Sequence, residues 1–199
     1  MKEIQVRGQQ SSSRILIGEN ITNTGNYIPE KHKVIVITDT NVHNLYIDKL
    51  PYQNVIKIGT GEKMKNLDTV QHIYKKLIDF EADRSCFILG LGGGIVCDIA
   101  GFVASTYMRG VRFGFISTTL LSQVDASVGG KNGVNFLAYK NMIGTFNQPE
   151  FVLCDMDVLI SLPEKEIKGG FSEIVKHACI KRETMFYYLK ENMEACHNL

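Results

Sequence analysis

Apolar positions along this chain fall in short blocks that switch between strand and helix periods. Lys33-Val34-Ile35-Val36-Ile37 is a continuous, mostly β-branched run ending at Thr38-Asp39, the pattern of a strand buried on both faces of a parallel sheet. Asn54 to Ile58, Cys86 to Leu91 and Arg112 to Ile116 predict three more strands. Between them, Asn41 to Leu50 predicts a short helix stopped by Pro51. Met64, Leu67, Val70, Ile73, Tyr74, Leu77 and Ile78 share one face of a second helix, and Ile95 to Met108 predicts a third. Strands alternating with helices imply right-handed crossovers and a mostly parallel, Rossmann-like α/β sheet. Ile4 to Val6 and Ile15 to Ile17 flank a Gly/Gln/Ser stretch and predict a pair of strands at the start.

The texture changes near Leu162. Ser161-Leu162-Pro163-Glu164 has the spacing of a capping box, with Ser161 as the cap. Everything after it reads as helix: a break at Lys168-Gly169-Gly170, a helix from Ser172 to Lys181, and a last one from Glu183 to Asn198. That last helix carries Met185, Phe186, Leu189 and Met193 as an apolar stripe. The expected organisation is an α/β domain over residues 1–161 and the beginning of an all-helical domain over 162–199. The stripe has no evident partner, which predicts a piece of a longer protein.

Composition narrows the function. Of 199 residues, 44% are apolar and 22% charged, so the chain has the make-up of an ordered globular protein. Twenty-two basic against 21 acidic residues leave a net charge of +1, which argues against coating nucleic acid or an anionic membrane. The start, MKEIQVRGQQ, lacks the apolar stretch of a signal peptide. Cys86 to Ala104 is too interrupted, by glycines and Asp98, to span a bilayer. Five cysteines at 86, 97, 154, 179 and 196 show no C-x-x-C spacing, so neither a disulfide framework nor a cysteine zinc site is supported. A reduced, cytoplasmic protein is expected.

The strongest local signal is Gly90-Leu91-Gly92-Gly93-Gly94-Ile95-Val96-Cys97-Asp98, a buried strand running through glycines into a helix. Such a turn admits a ligand close to the backbone and offers a helix N-terminus to phosphate. It also serves as a plain strand-to-helix turn. It is not the G-x-G-x-x-G dinucleotide pattern, because Ile95 stands at the third glycine position. Asp39, ending a strand, suits a ribose hydroxyl or, more simply, caps the helix after it. Glu62 and Lys65 open the amphipathic helix and read alone as a first-turn acid and a solvated charge. From Ser117 to Gln148 the chain is dense in polar groups: Thr118 and Thr119 able to cap a helix, Asp125 and Ser127 at its end, Gly129-Gly130 turning Lys131 toward a cleft, then Lys140-Asn141. That set suits an anionic, polyhydroxylated ligand, although surface loops collect the same residues. Glu173, Lys176 and His177 share a helix face, as a site wall, as a metal site in which a Glu and a His four apart both bind zinc, or, more commonly, as an exposed ion pair.

Taken together, GGGIVCDIAGFVASTYMRG, ISTTLLSQVDASVGGKNGVN, KNMIGTFNQP and FSEIVKHACI, in that order, resemble the 3-dehydroquinate synthase family. The resemblance implies an NAD-binding α/β domain, a helical domain, NAD and a divalent metal (zinc or cobalt) in the cleft between them, and a homodimer. It implies a lyase that turns a small sugar-phosphate acid, 3-deoxy-D-arabino-heptulosonate 7-phosphate, into 3-dehydroquinate and phosphate in aromatic amino acid (chorismate) biosynthesis. Asp39, Glu62, Lys65, Gly93, Gly94, Asp98, Thr118, Thr119 and Ser161 would then contact NAD, with Lys131 and Lys140 also near it. Asp125, Lys131, Lys140, Asn141 and Lys176 would meet the substrate. Arg109 would reach the substrate phosphate, its own or the partner subunit's.

Glu173 would be one metal ligand, and the other two would be histidines further along than Leu199, so impaired activity is expected of this chain alone. His177 is not a family ligand, and His32, His43, His72 and His197 read as structural or surface residues. Ser117, Asn132 and Ser161 depart from the family's usual Pro, Thr and Thr. Related sugar-phosphate cyclases, metal-dependent polyol dehydrogenases and a bare NAD-binding module are the rival readings.

Overall fold

A computed structural model of the chain describes residues 1–8 and 11–193; Cys196, His197 and the end of the last expected helix lie outside the described residues. Among the described residues there are nine strands: β1 (Lys2–Arg7), β2 (Ser12–Ile17), β3 (Val34–Asp39), β4 (Asn54–Ile58), β5 (Phe87–Gly92), β6 (Arg112–Ser117), β7 (Lys131–Phe136), β8 (Tyr139–Phe146) and β9 (Phe151–Cys154). Seven form one sheet in the order β1-β2-β9-β6-β5-β3-β4, while β7 and β8 form a separate pair. Within the large sheet only β1 and β2 run antiparallel; every other neighbour is parallel. The four expected parallel strands and the initial pair are therefore all present. Strand β9, which joins the two groups, and the β7–β8 hairpin were not anticipated.

Helices α1 (Thr40–Tyr46), α2 (Leu67–Asp79), α3 (Gly94–Thr106), α4 (Glu164–Lys181) and α5 (Glu183–Glu191) complete the fold. Side chains of the central strands alternate between two cores. Ile35, Ile37 and Ile88 pack with Val70 and Ile73 of α2 and Ile99 and Val103 of α3. Val36, Leu89 and Leu91 pack on the other face with Tyr46 of α1, Leu16 and Phe151. That alternation is the two-residue period of a strand expressed on two covered faces. Helix α3 is apolar on nearly all sides because it is sandwiched. One side faces the sheet; at Gly101 the other side touches the buried Asn132 of β7, whose Oδ1 would lie 1.9 Å from a Cβ built there.

Two expectations at the helical end are corrected. Helix α4 runs unbroken through Gly169 and Gly170. Gly170 is buried where α4 crosses residues 120–121: a Cβ there would sit 2.6 Å from Leu120 Cβ and from Leu121 N. Close packing outweighs the ~1 kcal/mol propensity cost of a helical glycine. Ser161 is not a helix cap. It ends a 3₁₀ turn, Asp157–Ser161, and its hydroxyl pairs with the Tyr46 hydroxyl, while α4 starts after Pro163 with no side-chain cap. Among the described residues no helix is long and apolar enough to cross a membrane.

Candidate functional site

The strand order sets the position of the site. From β3 the chain moves outward to β4, then crosses back to place β5 on the opposite side of β3, and continues to β6. The winding direction reverses between β3 and β5, so the loops after their carboxyl ends diverge and leave a crevice. That crevice has a volume of about 450 Å³ and is lined by Asp39, Gly61, Glu62, Gly93, Gly94, Thr118, Thr119 and Ser161, among others. Seven residues expected at a cofactor site thus come together from five separate segments.

Local chemistry explains each placement. Asp39 caps α1: its Oδ1 accepts from the backbone N–H of Asn41 at 2.8 Å and of Val42 at 3.0 Å. The simple capping role is therefore real, and both bonds use one oxygen. Gly93 precedes α3 and offers no side-chain cap, so the first-turn N–H groups of α3 face the crevice without one. A Cβ at Gly93 would lie 2.8 Å from Thr119 Cγ2, and one at Gly94 would lie 2.9 Å from Ala126 Cβ. Glycine keeps this floor flat. Of the two threonines, Thr119 is the cap: its Oγ1 accepts from Ser122 N at 3.2 Å, at the start of a π-helical turn, Ser122–Ala126. Thr118 Oγ1 is buried with no hydrogen-bond partner, although Thr118 lines the crevice. A buried hydroxyl left unpaired costs ~1–3 kcal/mol, and a ligand with a polar group at this point would remove that cost.

A second cavity, about 540 Å³, lies beside the first and is lined by Asp98, Asp125, Lys131, Asn132, Asn141 and Thr145, among others. Two of these residues, Asp98 and Asn141, are joined by Lys65. This lysine is only 5% exposed, and its Nζ lies 2.5 Å from both Asp98 Oδ2 and Asn141 Oδ1. Burial pushes the Asp98 carboxyl up, the Lys65 ammonium pulls it down, and the more distant Glu62 adds a small push upward. Lys65 is held by structure, not solvated as its local sequence suggests. Asn141 takes a left-handed backbone, φ 52°, which asparagine tolerates better than most residues. Lys140 is exposed, with its Nζ 3.9 Å from Glu62 Oε1.

Next to Asp125, which lines this cavity, α4 places Glu173, Lys176 and His177. Lys176 pairs with Glu173 and lies 3.8 Å from Asp125; the bond to Glu173 pushes the ammonium above its ordinary range. His177 Nε2 is 3.7 Å from Asp125 Oδ1 and is buried without a hydrogen bond. Donor atoms of Asp125, Glu173 and His177 all lie within 4.8 Å of one another. Two carboxylates and an imidazole are a donor set that suits zinc or cobalt.

Arg109 does not join either cavity. It follows α3, whose 13 residues carry the chain roughly 20 Å from the Gly93 end. Met108 and Arg109 have φ of 48° and 70°, so this exposed corner is held in a conformation that bulky residues rarely adopt. Asn135, to which sequence analysis assigns no role, proves central. It is the sole side chain bonded to both the 62–66 segment and the 140–141 turn among the described residues, through Glu62 Oε1 at 2.8 Å and Asn141 N at 2.9 Å.

The fold and site define a class: a Rossmann-like α/β domain with a switch-point crevice beside a second cavity lined by Asp98, Asp125 and Lys131. Comparison with known proteins narrows it. The family profile described as 3-dehydroquinate synthase N-terminal matches residues 55–169, and the chain belongs to the 3-dehydroquinate synthase family. The 3-dehydroquinate synthase of Ruthia magnifica is 40% identical over 205 residues, covering 97% of this chain and 56% of the relative. That of Thermococcus kodakarensis is 48% identical over 167 residues, covering 82% and 48%. The chain therefore spans about half the length of the curated relatives it matches. Among solved structures, 2-epi-5-epi-valiolone synthase from Streptomyces hygroscopicus, with NAD⁺ and Zn²⁺ bound, superposes with a TM-score of 0.85 at 25% identity, over 97% of this chain and 56% of that one. 2-Deoxy-scyllo-inosose synthase, complexed with carbaglucose-6-phosphate, NAD⁺ and Co²⁺, gives 0.80 at 28% identity, over 88% and 51%. A probable glycerol dehydrogenase from Sinorhizobium meliloti, at 18% identity and 0.63, shares the fold.

Proposed function

We propose that this chain forms the cofactor-binding part of a 3-dehydroquinate synthase, which eliminates phosphate from 3-deoxy-D-arabino-heptulosonate 7-phosphate on the way to 3-dehydroquinate. The observation that carries the reading is the crevice at the β3/β5 switch point. Its glycine floor, uncapped α3 N-terminus and unpaired Thr118 hydroxyl fit a dinucleotide, and it adjoins a cavity walled by Asp98, Asp125, Lys131 and Asn141.

NAD, when bound, supplies a transient two-electron acceptor, and a divalent cation supplies Lewis acidity. The chain's own groups do the rest. The N–H groups of the first turn of α3 hold the pyrophosphate. Asp39, through the oxygen not used for capping, and Glu62 hold ribose hydroxyls, with Thr118, Thr119 and Ser161 alongside the cofactor. Asp98 with Lys65 closes the crevice toward the second cavity. There Asp125 and Asn141 orient hydroxyls of the substrate, while Lys131, Lys140 and Lys176 balance its carboxylate and phosphate charge. Glu173 is the metal ligand this chain supplies, with Asp125 and His177 against it. The remaining ligands belong to the part of its relatives that this chain does not span, in keeping with residues 162–193 as the beginning of a helical domain. Arg109, remote from its own crevice, serves the partner's substrate phosphate in a homodimer. The setting is the cytoplasm.

Titration calorimetry with the chain as it stands tests the reading. NAD⁺ binds, heptulosonate phosphate binds once NAD⁺ is present, and glucose 6-phosphate and glycerol do not; phosphate release with added zinc or cobalt is slow. Preference for glucose 6-phosphate would point to another sugar-phosphate cyclase, and preference for glycerol to a polyol dehydrogenase.

A further inference from the structure

Asn135 lines neither cavity, yet it stands between them. It belongs to β7, and its backbone N–H donates to Lys65 O at 2.8 Å, in a bridge that sets residues 66 and 135 side by side. Its side chain then works in two directions. Nδ2 donates at 2.8 Å to Glu62 Oε1, on the rim of the crevice. Oδ1 accepts at 2.9 Å from the backbone N–H of Asn141, in the wall of the second cavity. The loop closes through Asn141 Oδ1, which accepts from Lys65 Nζ at 2.5 Å, and from there to Asp98.

A primary amide is the group that such a place requires. It donates to a carboxylate on one side and accepts from an N–H on the other, and its orientation is fixed by those two partners. Asn141 has a left-handed backbone, and its N–H is bonded to the Asn135 side chain. Through Asn135, Glu62 on the crevice rim is thus bonded to the turn that carries Lys140 and Asn141.

We propose that Asn135 is a positioning residue that couples the two cavities, so that a dinucleotide bound in the crevice tightens binding of the anionic polyol in the neighbouring cavity, and the reverse. The inference rests on the reading given under Proposed function and adds to it a specific link between the two ligands. By linkage the coupling factor is the same in both directions.

The test is a pair of calorimetric titrations: heptulosonate 7-phosphate into the protein with and without saturating NAD⁺, and NAD⁺ with and without the sugar phosphate. In the unaltered chain the two ratios agree and fall in the range of about 5- to 150-fold expected for coupled sites. In Asn135→Ala the ratio falls to within about twofold of one. Asn135→Asp keeps the acceptor for Asn141 but sets a carboxylate against Glu62, so the sugar phosphate alone binds as before while the coupling is lost. A merely structural Asn135 would lower both affinities, or the melting temperature, and leave the ratio intact; that result overturns the proposal. A chain that binds no NAD⁺ overturns the cofactor reading and this inference with it. NAD⁺ binding with a ratio unchanged in both variants overturns this inference alone.

Discussion

Lys65 and Asp98 lie 2.5 Å apart, Nζ to Oδ2, with both side chains largely out of water. They come from the segment just before α2 and from the first turns of α3, and Asp98 lines the second cavity. Burial raises the Asp98 carboxyl above its ordinary range, and Lys65 is the chief group opposing that rise.

Lys65→Met should destabilise the chain by about 3 kcal/mol at pH 7, because a buried carboxylate then lacks its partner. The pH dependence follows from the direction of the shift. A carboxyl whose folded pKa is raised favours folding below its unfolded pKa, about 4, and loses that contribution as pH rises through the folded value. Without Lys65 the folded value climbs further, so the deficit should shrink on acidification. Urea unfolding at several pH values measures it. Adding Asp98→Asn should recover most of the loss.

Gly93→Ala places a methyl where Thr119 Cγ2 would be 2.8 Å away. The floor of the crevice must then rise or Thr119 must turn. NAD⁺ affinity should drop at least about tenfold, equivalent to about 1.4 kcal/mol, while stability falls by about 1–3 kcal/mol. Calorimetry and thermal melting separate the two effects.

Gly101→Ala sets its Cβ 1.9 Å from Asn132 Oδ1. Asn132 is buried and donates to Gly130 O at 3.0 Å and Asn147 O at 2.8 Å, so it cannot yield without freeing the hairpin that presents Lys131. The substitution should cost about 1–3 kcal/mol and speed amide exchange across β7 and β8 while the central strands stay protected. Hydrogen exchange read by mass spectrometry shows it.

Cys86, Cys97 and Cys154 are buried, and Cys179 is exposed. Burial pushes the thiols of Cys86 to about 11 and Cys154 to about 12, and raises that of Cys97 further. At pH 8 a maleimide should label Cys179 within minutes and leave these three intact until denaturant is added. Peptide mapping identifies the labelled positions.

Much of the fold was legible because burial on both sheet faces writes itself as unbroken runs such as Val34 to Ile37 and Cys86 to Leu91. The glycine turn at 92–94 was legible for a different reason: three glycines in a row mark a tight strand-to-helix turn where backbone and neighbours come close. What stayed hidden has its own physics. Strands β7 and β8 are rich in Lys, Asn and Gly and expose Met142 and Phe146, so neither propensity nor alternation marks them. Gly169 and Gly170 look like helix breakers, yet α4 needs Gly170 small where it crosses Leu120 and Leu121. Ser161 matches a capping pattern, but Pro163 shifts the helix start and the hydroxyl goes to Tyr46. Lys65 and Asn135 depend on partners 33 to 76 and 73 residues away, distances at which no local pattern speaks.

The central claim is tested most directly by a crystal structure of the chain soaked with NAD⁺. Density for the pyrophosphate against the backbone N–H groups of residues 93–95, with a polar atom of the cofactor at Thr118 Oγ1, is the predicted result. Cofactor density elsewhere, or a crevice that stays empty while calorimetry registers binding, would contradict it.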